Sequence, residues 1–190
     1  MLPLRSLALA LLVSASAAGC YRGTAEDAEL GVIRNDSGWV RVDVPLVRQN
    51  GSKDCGAAAL ASVLGYWGRP VEAAEIDRAT GRTAGRRVSA GELATYAQER
   101  GLSAYVFFGN FEDLAHELDN GRPVIVGVAK QYAPKQAVAH YEVVVGYHRE
   151  SRRVLTLDPA EGFRENSMQG FLSEWGPTGR VTLVTFEPPA

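Results

Sequence analysis

Residues 44–68 read VPLVRQNGSKDCGAAALASVLGYWG. From Cys55 to Tyr66 apolar residues run over several helical turns, four of them Ala, and the run ends at Gly65 and Gly68. That pattern predicts a mostly buried helix. The polar loop Arg48–Asp54 leads into it, so Cys55 stands at the loop-to-helix junction. Unpaired N–H groups and the helix dipole favour an anion at such an end, and a thiolate is stabilised there. Gly56 and the small Ala57 are expected to leave room for a substrate backbone. On this stretch alone the alternative stands that Cys55 packs as a small hydrophobe, a common fate of cysteine. Gln49 precedes the same junction. Its side-chain NH₂, with the Cys55 backbone N–H, would make an oxyanion hole, although without the cysteine it reads as a polar loop residue.

Downstream, Val71–Ala79 reads as a short helix closed by Gly81. Ser89 with Glu92 forms a capping box for a helix over Ala90–Arg100, stopped by Gly101. Composition then turns to strands over Ser103–Phe108, Pro123–Ala129, His140–His148, Arg153–Leu157 and Arg180–Phe186. An amphipathic helix is expected over Phe111–Asn120, Phe171–Trp175 lies before the last strand, and Gly146 suggests a bulge. Helices first and antiparallel strands afterwards make an α+β domain of two lobes, one helical and one a sheet, with a cleft between them.

Upstream, Val40, Val42 and Val44 alternate with polar residues and predict a strand opening the domain, 39–190. Residues 21–38 are polar, show no sustained hydrophobic period and read as a tether. Residues 1–20 read as a leader: Arg5, an apolar Leu7–Val13, then small residues from Ser14 to Gly19. Ala17-Ala18-Gly19-Cys20 resembles the lipobox of bacterial lipoproteins, which implies an acylated Cys20 held in a lipid bilayer; the alternative is a plain secretory cleavage site. Tyr21 in place of Asp suggests sorting to the outer membrane, facing the periplasm, where the host has two membranes. The chain holds two cysteines. With Cys20 assigned to lipid, no intrachain disulfide is possible and Cys55 is a lone thiol. The formal charge is −2, and losing Arg5 makes it more negative, so no basic field exists to attract nucleic acid.

The base for a thiol nucleophile must titrate near neutrality and lie within hydrogen-bond reach, and the candidates are His116, His140 and His148. His116 falls on an amphipathic helix and reads as a surface residue. His140 opens an apolar strand after the irregular segment 130–139. His148 closes the same strand, about 27 Å away at about 3.4 Å per residue, so both cannot serve one sulfur. Asp158 ends a strand before Pro159. There it would orient an imidazole or simply begin an Asp-Pro turn.

Gln49, Cys55, His140 and Asp158 occur in an order that resembles the papain-like (clan CA) cysteine peptidases. The text at 44–49, Asp54-Cys55-Gly56-Ala57-Ala58 and Tyr66-Trp67-Gly68 resembles the bacteriocin-processing, double-glycine leader peptidases. So do SAGELATYAQERG at 89–101, HYEVVVGY at 140–147 and LDPA at 157–160. The resemblance spans about residues 42–187. It implies a papain-like two-lobed fold and amide hydrolysis of a peptide or protein through an acyl-enzyme, with no cofactor or metal. Cys55 would attack, His140 shuttle the proton, Asp158 orient His140 and Gln49 hold the oxyanion. Family members that cut double-glycine leaders are usually fused to a membrane exporter and an ATPase, and this sequence has no later span or phosphate loop. That leaves a tethered peptidase of exported polypeptides, a cell-wall peptide hydrolase, or a non-catalytic binding module on the same fold.

Overall fold

A computed structural model of the protein describes residues 23–80, 86–131 and 137–189. The expected leader and Cys20 lie outside the described residues. In chain order the elements are β1 (Glu26–Asp27), α1 (Leu30–Asn35), β2 (Trp39–Arg41), α2 (Cys55–Tyr66), α3 (Ala73–Ala79), α4 (Ala90–Glu99), β3 (Ser103–Phe108), α5 (Phe111–Asp119) and β4 (Val124–Lys130). They continue with β5 (Val138–His148), β6 (Arg153–Asp158), β7 (Gly162–Ser167), α6 (Met168–Trp175) and β8 (Val181–Phe186).

The strands form one sheet in the order β1-β7-β6-β5-β4-β8-β3, with β2 added alongside β5, and every pairing is antiparallel. Side chains alternate across it, as strand geometry requires. Ile125, Val143, Leu155, Leu157 and Leu183 face a core shared with α2, α3 and α4. Val124, Val126, Val128, Val144 and Val154 face a second core that includes Leu114, Leu118, Phe171 and Trp175 of α5 and α6. The helical lobe over the sheet is the α+β arrangement the element order predicts.

The bulge at Gly146 is present: the pairing of β5 with β6 slips between Val144 and Gly146. One extra residue shifts the alternation, so Tyr147 joins the same core as Val144 although it is an odd step away. A Cβ at 146 would stand 2.9 Å from the Val40 carbonyl, so glycine lets β2 lie against the bulge.

Residues 21–38 correct the expected tether. Where described, they are bound to the domain: β1 pairs with β7, the Ala28 N–H donates to the Phe163 carbonyl, and Ile33 is buried in the helical-lobe core. The segment reads as polar because only a few of its residues face inward. Pairing partners far along the chain fix the rest.

Candidate active site

α2 begins at Cys55, as its sequence predicts, and ten consecutive residues from Cys55 to Leu64 are buried. The small Ala residues let α4 and β5 approach closely. A Cβ on Gly56 would fall 2.6 Å from Val88 Cγ1 and 3.1 Å from Tyr141 Cδ2. Gly56 and Ala57 therefore serve packing and leave no room for substrate, a correction to the expectation; substrate must approach Cys55 from another side.

The Cys55 side chain is buried, and the groups around its sulfur are polar. His140 and the Tyr141 backbone N–H are the groups that act on it most, and Arg87 Nη1 donates to Sγ at 3.6 Å. His140 opens toward the site from β5, where it pairs with Val128 of β4. Its Nε2 lies 2.8 Å from Asp158 Oδ1, which leaves Nδ1 as the nitrogen available to sulfur. Asp158 ends β6. The Ala160 N–H also donates to Oδ1 at 2.8 Å, so the Asp-Pro turn and the carboxylate–imidazole contact coexist.

Burial alone would raise the Cys55 thiol, but the hydrogen bond and charge of His140, with the Tyr141 N–H and Arg87, outweigh it and bring the thiol below its ordinary value. Burial would lower His140, but bonds to Asp158 and Cys55 and their charges push it up to about 10. Asp158, despite burial, is held at about 2 by His140, Lys130 and the Ala160 N–H. The lowered thiol and the raised imidazole both favour a thiolate beside an imidazolium, with the Asp158 carboxylate behind them.

Gln49 is held near Asp158 by its backbone, whose N–H donates to the Pro159 carbonyl at 3.1 Å. Its side-chain Nε2 donates to the Gly51 carbonyl at 2.9 Å, which uses one of the two amide hydrogens. His116 is exposed on α5. His148 meets Asp36 at 3.3 Å at the other end of β5. Neither joins the site.

Two residues escaped the sequence reading. Arg87 lies in the turn before α4, where nothing local distinguishes it from Arg86. Lys130 is fully buried, pairs with Glu142 and lies 3.5 Å from Asp158 Oδ2. One signal existed for it: a lysine closing an otherwise aliphatic strand.

The Peptidase_C39 like family model matches residues 41–183, which include every residue of this site. Among curated proteins none matches. The peptidase domain of Streptococcus ComA, a bifunctional ABC transporter involved in a quorum-sensing pathway, aligns with TM-score 0.63 and 25% identity over 77% of this chain and all of that one. A double-glycine-motif protease from an AMS/PCAT transporter, solved with the leader peptide, aligns with TM-score 0.62 and 24% identity, over 78% and 94% of the two chains. A putative C39-like peptidase from Bacillus anthracis has the same TM-score, 0.62, at 18% identity over 78% and 96%. The shared fold is the papain-like one, and on the span of the family match the chain belongs to the Peptidase_C39 like family and is a cysteine-type peptidase.

Proposed function

We propose that this protein is a membrane-anchored peptidase that hydrolyses peptide bonds of exported polypeptides through a thioester on Cys55. The observation that carries the reading is the His140–Asp158 pair, bonded at 2.8 Å and acting on a cysteine at the N-terminal end of a buried helix. The Cys55 thiolate forms a C–S bond to the scissile carbonyl carbon, and the π pair of the C=O bond moves onto the carbonyl oxygen. The Cys55 N–H and the second hydrogen of the Gln49 amide stabilise that oxyanion. As the tetrahedral intermediate collapses, the C–N bond breaks and His140 gives its proton to the departing amine, leaving a thioester. A water then loses a proton to His140 and attacks the thioester; the acid departs and the thiolate–imidazolium pair is restored. Asp158 keeps the imidazole oriented and favours its charged form throughout.

The lipobox-like Ala17–Cys20 supports a lipid anchor at Cys20, with the enzyme facing the periplasm if the host has two membranes. Among the described residues no helix is long and apolar enough to cross a membrane. The double-glycine relatives support a peptide carrying a Gly-Gly motif as the first substrate to try.

Rapid acid quenching of the full chain mixed with such a peptide, followed by intact-mass analysis, tests the chemistry. The expected product is an acyl adduct on Cys55, absent in Cys55→Ala and discharged by water. Cleavage that persists in Cys55→Ala would contradict it. Incorporation of labelled fatty acid, lost in Cys20→Ser, tests the anchor.

A further inference from the structure

Behind His140 and Asp158 lies a charged cluster that the acyl-transfer steps leave unused. Lys130, the last residue of β4, has a side chain 1% exposed, and its ammonium pairs with Glu142 Oε1. The same ammonium stands 3.5 Å from Asp158 Oδ2 and 3.8 Å from Glu174 Oε2. Val124, Val126 and Val128 precede it at every second position of β4 and are buried in one core. An aliphatic residue at 130 would continue that stripe, and a buried ammonium is costly unless its pairing is good. Packing alone therefore does not account for a lysine here.

The carboxylate of Asp158 is held from both sides. Oδ1 receives His140 Nε2 and the Ala160 N–H, each at 2.8 Å, while Oδ2 faces Lys130. Possible ligand atoms of His140, Glu142 and Asp158 all lie within 4.8 Å of one another, a grouping suited to a cation. The Lys130 ammonium supplies that positive charge. Glu142 and Glu174, from β5 and α6, hold the ammonium from other directions.

We propose that Lys130 is a positioning residue for hydrolysis: its ammonium grips Asp158 Oδ2 so that Oδ1 stays ionised and aimed at His140 Nε2. This rests on the roles given above to Cys55, His140 and Asp158. The charged groups facing Lys130 and Asp158 are His140 and Glu142 from β5, Glu174 from α6 and, beyond the Asp-Pro turn, Glu161, which itself meets Arg164. Without the ammonium the carboxylates repel one another, and Asp158 takes up a proton at higher pH. His140 then loses the anion that favours its charged form, and the Cys55 thiolate forms less readily.

The test uses the full chain with Cys20→Ser, which leaves Cys55 as the one thiol. Lys130→Met alone would strand buried carboxylates, so it is paired with Glu142→Gln. Lys130→Gln, which keeps a donor and most of the volume, is the second variant. Thermal unfolding, peptide turnover and the pH dependence of Cys55 alkylation are measured on each. Either folded variant is expected to lose about tenfold or more in kcat, a part of the roughly 10⁴-fold that a wrongly held imidazole costs. KM should stay nearly constant, and the alkylation inflection should rise by about half a unit or more. Glu142→Gln alone should shift the inflection less than either Lys130 variant, because the ammonium stays beside Asp158. A folded Lys130 variant with parental kcat and inflection, or an equal shift in Glu142→Gln alone, overturns the proposal. An ordinary thiol inflection in the unsubstituted site would instead sink the reading of the site itself.

Discussion

Arg87 Nη1 lies 3.6 Å from the sulfur of Cys55, so the thiol is enclosed by a guanidinium on one side and an imidazole on the other. A thiolate near two cations is stabilised, and a side chain in contact with a buried sulfur can also limit access to it. Arg87 itself is only half-buried and precedes α4 in an irregular segment.

Arg87→Gln separates these two effects. Losing the charge should raise the pH at which Cys55 becomes reactive, because Arg87 helps lower the thiol. Losing the cover should raise the limiting alkylation rate at high pH. The measurement is a full rate-against-pH curve; an unchanged inflection would show that Arg87 contributes no stabilising charge.

Asp158→Asn is expected to fold and to lose roughly 10³ to 10⁴-fold in kcat, since an amide cannot favour the imidazolium as the carboxylate does. Initial-rate kinetics with a Gly-Gly peptide check it. Loss below about tenfold would remove Asp158 from the mechanism.

The same residue ties stability to acid. Its folded pKa, about 2, lies below its ordinary value, so its contribution is present above about pH 4 and is lost as pH falls toward about 2. Urea midpoints of the parent and Asp158→Asn should therefore differ most near neutrality and converge between pH 4 and pH 2. A constant gap over that range would contradict the depressed value.

Much of this site was legible because its signals are local. The Ala-rich run after Cys55 and the Ser89–Glu92 capping box are set by near neighbours, and both elements form where those residues predict. β7 was not legible: Gly162–Ser167 is mostly polar and becomes a strand because β6 and β1 pair with it on either side. Gly56 misled for a related reason. Its missing side chain makes room for Val88 and Tyr141, contacts between distant segments. Arg87 acquires its partner only through the fold, so no spacing rule could have selected it, and Lys130 left one signal, its place at the end of an aliphatic strand.

Ile33 tests whether the described part of the segment, residues 23–38, belongs to the domain. Its side chain is 2% exposed in the helical-lobe core, so Ile33→Ala should cost about 2–5 kcal/mol by urea denaturation. A segment acting only as a linker would show a change within about 0.5 kcal/mol.

Gln49→Ala should reduce kcat by roughly 100-fold if the free amide hydrogen serves the oxyanion, with little effect on Cys55 alkylation, which forms no oxyanion. Parallel loss in both assays would mean that Gln49 holds the loop and gives nothing to the transition state.

The most direct test compares alkylation rate against pH in the Cys20→Ser chain with and without His140→Ala. A thiolate held by a neighbouring imidazolium predicts an inflection well below ~8.5 that moves up when the imidazole is removed. An inflection near that ordinary value, unchanged by His140→Ala, would contradict the account.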